Sequence, residues 1–390
     1  MKIVHIVFGR AKPESSNGVV KSVYYLAKYQ TLLGHKTDIL SIRSKPRMDS
    51  ISYMANMTNH FFEKQYIRFV LDRKLLSYLN DNKGEIDIVH FHSAYQPEYW
   101  RISKQLNCWR INYIISPRGS YQKYANQKSY FKKRIYKYFI EKKIINNAKA
   151  VHALNRSEAN EIIEYGVEPS KVFILPNGID FSVLPEGISS KKRDNLPDNQ
   201  EKRIIYCGRI DVRAKGLDIL IKSLSMLKKK SKSYNYRLTI MGPDWQNNSK
   251  QLQKLISQYN VNNEVDIIGP KYGIEKYKAL AASDIFVLVS RSEGMPTSVL
   301  EAMSFGIPCV LTAETNIGKL AEDRGACVFV SLDPESLSDT LCSLLHNNSL
   351  LEVMGHNASK YVVETFNYNK IADAMCQNYL KNFDEKHYAY

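Results

Sequence analysis

At 390 residues, 44% hydrophobic and 24% charged, the chain has the composition of an ordinary soluble globular protein, long enough for two domains that each bury a core. No run approaches the ~18 apolar residues of a membrane-spanning helix, and the apolar run of MKIVHIVFGR is too short for a signal peptide and reads as a first strand. The six cysteines are scattered and form no Cys-x-x-Cys pair, which points to reduced thiols in a cytoplasmic protein. The net charge of +16 is unevenly spread: residues 1–180 hold 29 Lys and Arg against 15 Asp and Glu, the remainder 26 against 24. That imbalance implies an anionic surface met by the N-terminal half only.

In chain order, the β-type run Ile3–Phe8 leads into a polar loop that ends at Asn17-Gly18 and opens onto a helical pattern, Val19–Leu33, before a strand at Asp38–Ile42. This is a βαβ unit, and its loop either approaches a phosphate or is ordinary surface. Residues 44–85 read as polar and helical in patches. EIDIVHFHSAY is a strand whose alternation puts His90 and His92 on one face and Phe91 on the other. No third ligand is evident beside them, so a buried, hydrogen-bonded histidine is the expectation for His90 rather than a metal ligand. Strand Tyr113–Ser116 runs into Pro117-Arg118-Gly119.

Residues 121–143 interleave cations, Lys132, Lys133 and Arg134 among them, with Tyr124, Tyr130, Phe131, Tyr136, Tyr138 and Phe139. As a helix this stretch would either meet anionic lipid or be a solvated basic face over an aromatic stripe. Nucleic acid is the third option, but no recognised nucleic-acid module accompanies it. A strand at Ala150–Leu154 and a strand with an Asn-Gly turn, VFILPNGID, close the first half.

Residues 182–202 are rich in Ser, Lys, Asp and Pro and read as a linker. Strand Ile204–Cys207, loop Gly208–Gly216 and helix Leu217–Leu227 follow, with Arg209 and Lys215 in the loop, where two cations can converge on a diphosphate. Strands are expected at Leu238–Met241, Val265–Gly269 and Ile285–Val289. Next comes SRSEGMPTSVLEAMSFGIPC, in which Pro296 suits a first helical position and Gly306 with Pro308 ends the helix. The N–H groups of Thr297, Ser298 and Val299, at the positive helix end, would hold a diphosphate. Glu301 then lies ~7.5 Å from Pro296 along the axis. With Glu293 in the loop, one carboxylate can stand beyond each end of the phosphates, and a carboxylate accepts two hydrogen bonds from a vicinal diol.

Glu293, seven residues and then Glu301, within EGMP…LEAMSFGIPCV, resembles the signature of the family 4 (group 1) retaining glycosyltransferases of the GT-B fold. The likeness extends to the first βαβ loop, where that family carries Gly-Gly and this chain has Asn17-Gly18. It includes the strand-end His92, the Pro-Arg-Gly at Arg118, the PNG-hydrophobic-Asp segment and the Gly-Arg…Lys-Gly frame of Arg209 and Lys215.

The resemblance implies an α/β fold of two Rossmann-like parallel-sheet domains facing across a cleft. These are an acceptor domain at 1–181, the linker 182–202, a nucleotide-sugar domain at 203–365 and a C-terminal helix, 366–390, packing back on the first domain. It also implies transfer of a hexose from a UDP- or GDP-hexose to a glycan hydroxyl with retention, without a metal. His92, Glu293, Arg209 and Lys215 are expected at the chemistry. The donor would be held by Gly18, Arg209, Lys215, Glu293, Gly294, Met295, Thr297, Ser298, Val299 and Glu301, and the acceptor by Asn17 and Arg118.

No Gly-x-Gly-x-x-Gly, no Gly-Lys-Ser/Thr loop and no Asp-x-Asp occurs in the chain. With no Asp-x-Asp to carry a sugar-nucleotide metal, cations and helix ends are left to offset the diphosphate charge. The basic N-terminal half fits a lipid-linked or anionic glycan acceptor at the inner membrane face, with Lys132, Lys133 and Arg134 as membrane contacts. The setting would be synthesis of a bacterial-type surface polysaccharide (O-antigen, capsule or lipopolysaccharide) by a cytoplasmic, peripheral protein that binds no nucleic acid. A nucleotide-sugar epimerase of the same fold is the alternative.

Overall fold

The computed structural model describes residues 1–13, 15, 17–67, 69–121, 136–184, 201–230 and 235–381. These form two compact units: Met1–Gly178 together with the residues from Tyr368 on, and Ile179–Asn367. Lys132, Lys133 and Arg134, most of the expected linker, and the end of the expected C-terminal helix segment lie outside the described residues.

The first unit contains β1 (Lys2–Phe8), α1 (Gly18–Leu32), β2 (Lys36–Arg43), β3 (Ser50–Met54), β4 (Met57–Glu63), α2 (Arg73–Asn82), β5 (Ile88–His92), α3 (Pro97–Cys108), β6 (Asn112–Ser116), α4 (Lys142–Asn147), β7 (Ala150–Ala153), α5 (Arg156–Glu164) and β8 (Val172–Ile174). The strands form one sheet in the order β3-β4-β2-β1-β5-β6-β7-β8, parallel except for the β3–β4 pair. β1 and β5 are apolar runs buried almost throughout, as expected of parallel strands covered on both faces.

Of the helical patches expected in 44–85, α2 forms at Arg73–Asn82, while the antiparallel pair β3–β4 takes up the earlier part. MTNHFFE alternates from Met57 to Phe61, with Met57, Asn59 and Phe61 buried before Phe62 breaks the pattern, and that period of two signals a strand covered mainly on one face. Helix α1 starts at Gly18, and Asn17 is its N-cap: the Asn17 side-chain oxygen accepts from the N–H groups of Val19 at 3.0 Å and Val20 at 3.4 Å.

The second unit contains β9 (Lys202–Cys207), α6 (Leu217–Lys230), β10 (Tyr236–Met241), α7 (Asn248–Gln258), β11 (Val265–Gly269), α8 (Gly273–Ala281), β12 (Ile285–Leu288), α9 (Thr297–Ser304), β13 (Cys309–Thr312), α10 (Lys319–Asp323), β14 (Cys327–Val330), α11 (Pro334–Leu345) and α12 (Asn348–Thr365). Its sheet is parallel throughout, in the order β11-β10-β9-β12-β13-β14. Where the order reverses, between β9 and β12, the carboxyl ends of two adjacent strands leave in opposite directions. Open α/β sheets bind ligands at such points.

Helix α13 (Tyr368–Lys381) belongs to the first unit and packs on α1. The Tyr368 ring stacks on Tyr25 and Tyr29, with centroids 5.7 and 5.5 Å apart. A Cβ at Gly178 would stand 2.6 Å from that ring, so only glycine lets the PNG turn pass beneath the helix. The six cysteines form no disulfide, and no helix among the described residues is long and apolar enough to cross a membrane.

One buried carboxyl in this unit is under tension. Glu141 lies among Tyr95, Tyr121 and Tyr136; its Oε1 accepts from Tyr121 Oη at 2.7 Å and from the Tyr95 N–H at 3.2 Å, while its Oε2 has no partner among the described residues. Burial pushes its pKa up to about 7 against these two bonds. A raised folded-state pKa gives stability that is fully present below the ordinary glutamate value and lost as the pH climbs through about 7. Glu141→Gln is therefore expected to match the wild type at pH 5 and to exceed it at pH 8, by roughly 3 kcal/mol in denaturant unfolding. A stability difference that does not change with pH would show that Glu141 ionises normally.

Candidate active site

In the second unit the strand-end loops bring the expected charges together. Lys215 Nζ lies 2.5 Å from Glu293 Oε1, and Ser290 Oγ donates to the same oxygen at 2.6 Å. The two partners are 78 positions apart, and both side chains are largely buried.

The loops that carry them are fixed independently. Arg291 forms a two-pronged pair with Asp218, 2.8 Å at each nitrogen, and donates to the Arg213 carbonyl. The Glu293 N–H donates to Glu314 O at 3.1 Å, and Asn316 Nδ2 donates to Glu293 O at 2.6 Å. Gly216 closes the first loop at φ +65°, where a Cβ would meet the Val289 carbonyl oxygen at 2.0 Å. Arg209 is more exposed: its guanidinium lies over the Trp245 ring, 4.3 Å from the centroid, and contacts Asp211 at 3.5 Å.

Helix α9 begins one residue later than the sequence suggests, because Pro296 has an extended ψ of 111° and acts as the cap. The Val299 N–H donates to Pro296 O at 3.1 Å. Of the three N–H groups expected to point outward, those of Thr297 and Ser298 therefore remain. Gly306, at φ +67°, ends the helix as expected from its sequence.

Glu301 is not a solvated helical residue: only 4% of its side chain is exposed, and it forms an ion pair with Lys276 of α8. Burial alone would lower the Lys276 pKa, but the Glu301 carboxylate outweighs it and holds the ammonium above the usual lysine range. Lys276 escapes sequence reasoning because neither Lys of KYKAL carries a sign of its partner. Tyr206, buried at the end of β9, donates to the Arg209 carbonyl at 2.7 Å; burial, and next the Glu293 charge, push its pKa far up.

The first unit has a different chemistry. His90 and His92 do share one face, and the neighbouring strands add His5 and His152 to it; His5 is the register partner of His90, and Ser116 that of His92. All four histidines are buried. His5, His90 and His92 place ligand atoms within 4.8 Å of one another, a geometry that could hold a metal ion. Yet both ring nitrogens of each already have hydrogen-bond partners. Burial drives their pKa values down, to about 4 for His5 and about 3 for His152, and the charge of Arg118 adds to the shift.

His92 is fully buried, with its Nε2 against His5 and its Nδ1 against the Arg118 guanidinium. Arg118 is half-buried at φ +57° and donates to His92 Nδ1 at 3.3 Å and to Asn177 Oδ1. Its Nε has no hydrogen-bond partner, and no carboxylate lies within ion-pair distance among the described residues. Glu158, buried in the first turn of α5, fixes this loop by accepting from the Gly119 N–H at 2.6 Å and the Leu154 N–H at 2.8 Å. Asn17 uses its side-chain oxygen on the α1 cap, and Gly18 is the first residue of that helix.

Removing one member of the buried pair leaves an uncompensated ion. Lys276→Met is expected to lower stability by about 3 kcal/mol in denaturant unfolding, and Lys276→Met combined with Glu301→Leu to regain most of it. An unchanged single variant would mean that Glu301 is solvated after all.

The description "Glycosyltransferase Family 4" matches residues 16–183 and "Glycosyl transferases group 1" matches residues 188–361. A D-inositol 3-phosphate glycosyltransferase of Pseudarthrobacter chlorophenolicus is 30% identical over 174 residues, 44% of this chain and 41% of that protein. The putative colanic acid biosynthesis glycosyltransferase WcaL of Salmonella typhimurium is 27% identical over 221 residues, 55% of this chain and 52% of that protein. The chain thus spans about half the length of these curated relatives.

Among solved structures, sucrose-phosphate synthase from Thermosynechococcus elongatus superposes with a TM-score of 0.78 at 18% identity, covering 99% of this chain and 100% of that one. Anabaena HepE, solved with UDP and glucose, superposes at 0.74 and 16%, covering 97% and 99%. Those likenesses establish the GT-B fold. With both halves matched, the chain belongs to the family 4 (group 1) glycosyltransferases.

Proposed function

We propose that this protein transfers a hexose from a nucleoside-diphosphate sugar, a UDP- or GDP-hexose, to a glycan hydroxyl with retention at the anomeric carbon. The observation that carries the reading is the Lys215–Glu293 contact beside the open N–H groups of α9, at the point where strand order reverses. Lys215 has three donors and gives one to Glu293, so the others can meet a diphosphate. Arg209 joins it from the same loop. Together they stabilise the leaving group most as its charge grows, which lowers the barrier rather than only tightening binding.

Glu293, pinned by Lys215 and Ser290, orients the hexose hydroxyls, with the backbone of Gly294 and Met295 beside it. A carboxylate has about four lone-pair sites, so Glu301 keeps acceptor capacity for the ribose diol while paired with Lys276. The leaving diphosphate accepts the acceptor's proton on the same face. Arg209, Lys215 and Lys276 supply the positive charge that a cation would otherwise bring, which supports a metal-independent reaction. HepE was solved with UDP and glucose, which supports a UDP-hexose as the first donor to test.

On the acceptor side, Arg118 is a cation with no carboxylate within ion-pair distance among the described residues, in a strongly basic half-chain, which suits an anionic or lipid-linked glycan at the inner face of the cytoplasmic membrane. WcaL is named for colanic acid biosynthesis, and surface polysaccharide synthesis is the proposed setting here.

Glu293→Ala and Lys215→Ala are each expected to lower turnover with UDP-glucose by ~10²-fold or more, with wild-type turnover unchanged in EDTA. Near-wild-type rates in both variants would overturn the assignment, and loss of activity in EDTA would overturn metal independence. Joint replacement of Lys132, Lys133 and Arg134 by Ala is expected to abolish co-sedimentation with anionic vesicles; unchanged binding would discard the membrane contact.

A further inference from the structure

Eight hydrogen bonds join Arg118 to a strand-end carbonyl through buried side chains. Arg118 Nη2 lies 3.3 Å from His92 Nδ1, His92 Nε2 3.0 Å from His5 Nδ1, and His5 Nε2 2.7 Å from Gln30 Oε1. Gln30 Nε2 lies 3.4 Å from Tyr379 Oη, and Tyr379 Oη 2.7 Å from His90 Nδ1. His90 Nε2 lies 2.6 Å from Ser116 Oγ, Ser116 Oγ 2.6 Å from His152 Nδ1, and His152 Nε2 2.7 Å from the Leu175 carbonyl.

The two ends of this chain fix its polarity. A guanidinium can only donate, and a carbonyl can only accept. Every group between them is amphoteric and passes on one proton, so only one arrangement makes all eight bonds. Arg118 donates to His92, His92 to His5, His5 to Gln30, Gln30 to Tyr379, Tyr379 to His90, His90 to Ser116, Ser116 to His152, and His152 to Leu175. All four histidines are then neutral and carry their proton on Nε2. Protonating His92 or His5 would set two donors face to face, and protonating His90 or His152 would make the Tyr379 or Ser116 hydroxyl give up its donation, which agrees with the lowered pKa values.

Gln30 comes from α1 and Tyr379 from α13, and both are buried. The Tyr379 hydroxyl accepts from the Gln30 amide, which also meets the Cys376 thiol, and so favours one orientation of the amide. Without it the amide can turn over and present N–H groups to His5. His5 and then His92 would exchange tautomers, and His92 would face the Arg118 guanidinium with an N–H instead of a lone pair.

We propose that Gln30 and Tyr379 are positioning residues of the transfer reaction: by closing this one-way chain they fix the His92 tautomer, and through it the placement of Arg118. The docking of α13 thereby becomes a condition for a competent acceptor side. This rests on the reading of Arg118 as part of the reaction site, and the experiment separates the two.

Protein labelled with ¹⁵N-histidine reports each ring's tautomer by NMR, and His5, His90, His92 and His152 are assigned by single replacement. In the wild type all four are expected as the neutral Nε2–H form. In Tyr379→Phe, which keeps the buried ring, His92 is expected to become a tautomer mixture, with kcat on UDP-glucose down ~10-fold and the donor KM unchanged. Gln30→Met is expected to do the same and serves if the first variant folds poorly.

Wild-type tautomers in both variants would overturn the chain. A lost tautomer with wild-type kcat would overturn its link to the reaction. If Arg118→Ala abolishes transfer while both chain variants turn over normally, the transferase reading stands and only this proposal falls. If the wild type transfers no sugar from any nucleotide donor, the transferase reading falls, and the proposed role in transfer falls with it even where the tautomers are as expected.

Discussion

The interaction on which the second unit's chemistry depends is the ion pair of Lys215 with Glu293. Neither charge could rest at a half-buried strand end alone, since the desolvation of one must be offset by the other. Each loop therefore has to deliver its residue to one point, and the fold clamps both. Arg291 ties the Glu293 loop to the Lys215 loop, Asn316 and Glu314 hold it from the next strand, and Gly216 lets the chain turn against Val289. The Lys276–Glu301 pair repeats the arrangement between α8 and α9. Charge is thus placed by the fold itself and in pairs, so the proposed diphosphate would meet groups that need little reorganisation.

The first unit reaches order by the opposite route. Its buried polar stripe, from His152 across the sheet to His5, is uncharged, and its direction is set by which groups can donate and which can accept. Only Arg118, at one end, carries a charge. A network of this kind is satisfied completely or not at all, because one reversed member leaves a buried donor unpaired at a cost of ~1–3 kcal/mol. It therefore selects a single arrangement of four rings, and it ties the position of α13 to the loop that holds Arg118.

Much of this was legible in the sequence, and the boundary has a physical cause. The βαβ units and strand-end loops show as apolar runs closed by Gly and polar residues. Lys215, Glu293 and Arg209 show because their loops have recognisable frames. The β3–β4 pair is hard to read because the alternation in MTNHFFE is short and ends in two adjacent buried phenylalanines. Pro296 was placed one position too far into its helix, a shift that the extended ψ of a cap explains. The Lys276–Glu301 pair and the histidine chain were illegible for a deeper reason. Each depends on register between elements far apart in sequence, such as His5 opposite His90 or Tyr379 over His90 and Gln30. No local pattern encodes that register.

The two routes suit two tasks. The proposed diphosphate donor would bring charge that must be matched as it grows, which pre-placed cations do with little reorganisation. An acceptor hydroxyl brings none and must instead be aimed, which a rigid neutral scaffold does better than a salt bridge that water can screen. The first unit accordingly keeps cations other than Arg118 out of its polar stripe, while the second sets Lys215 and Lys276 each against a carboxylate.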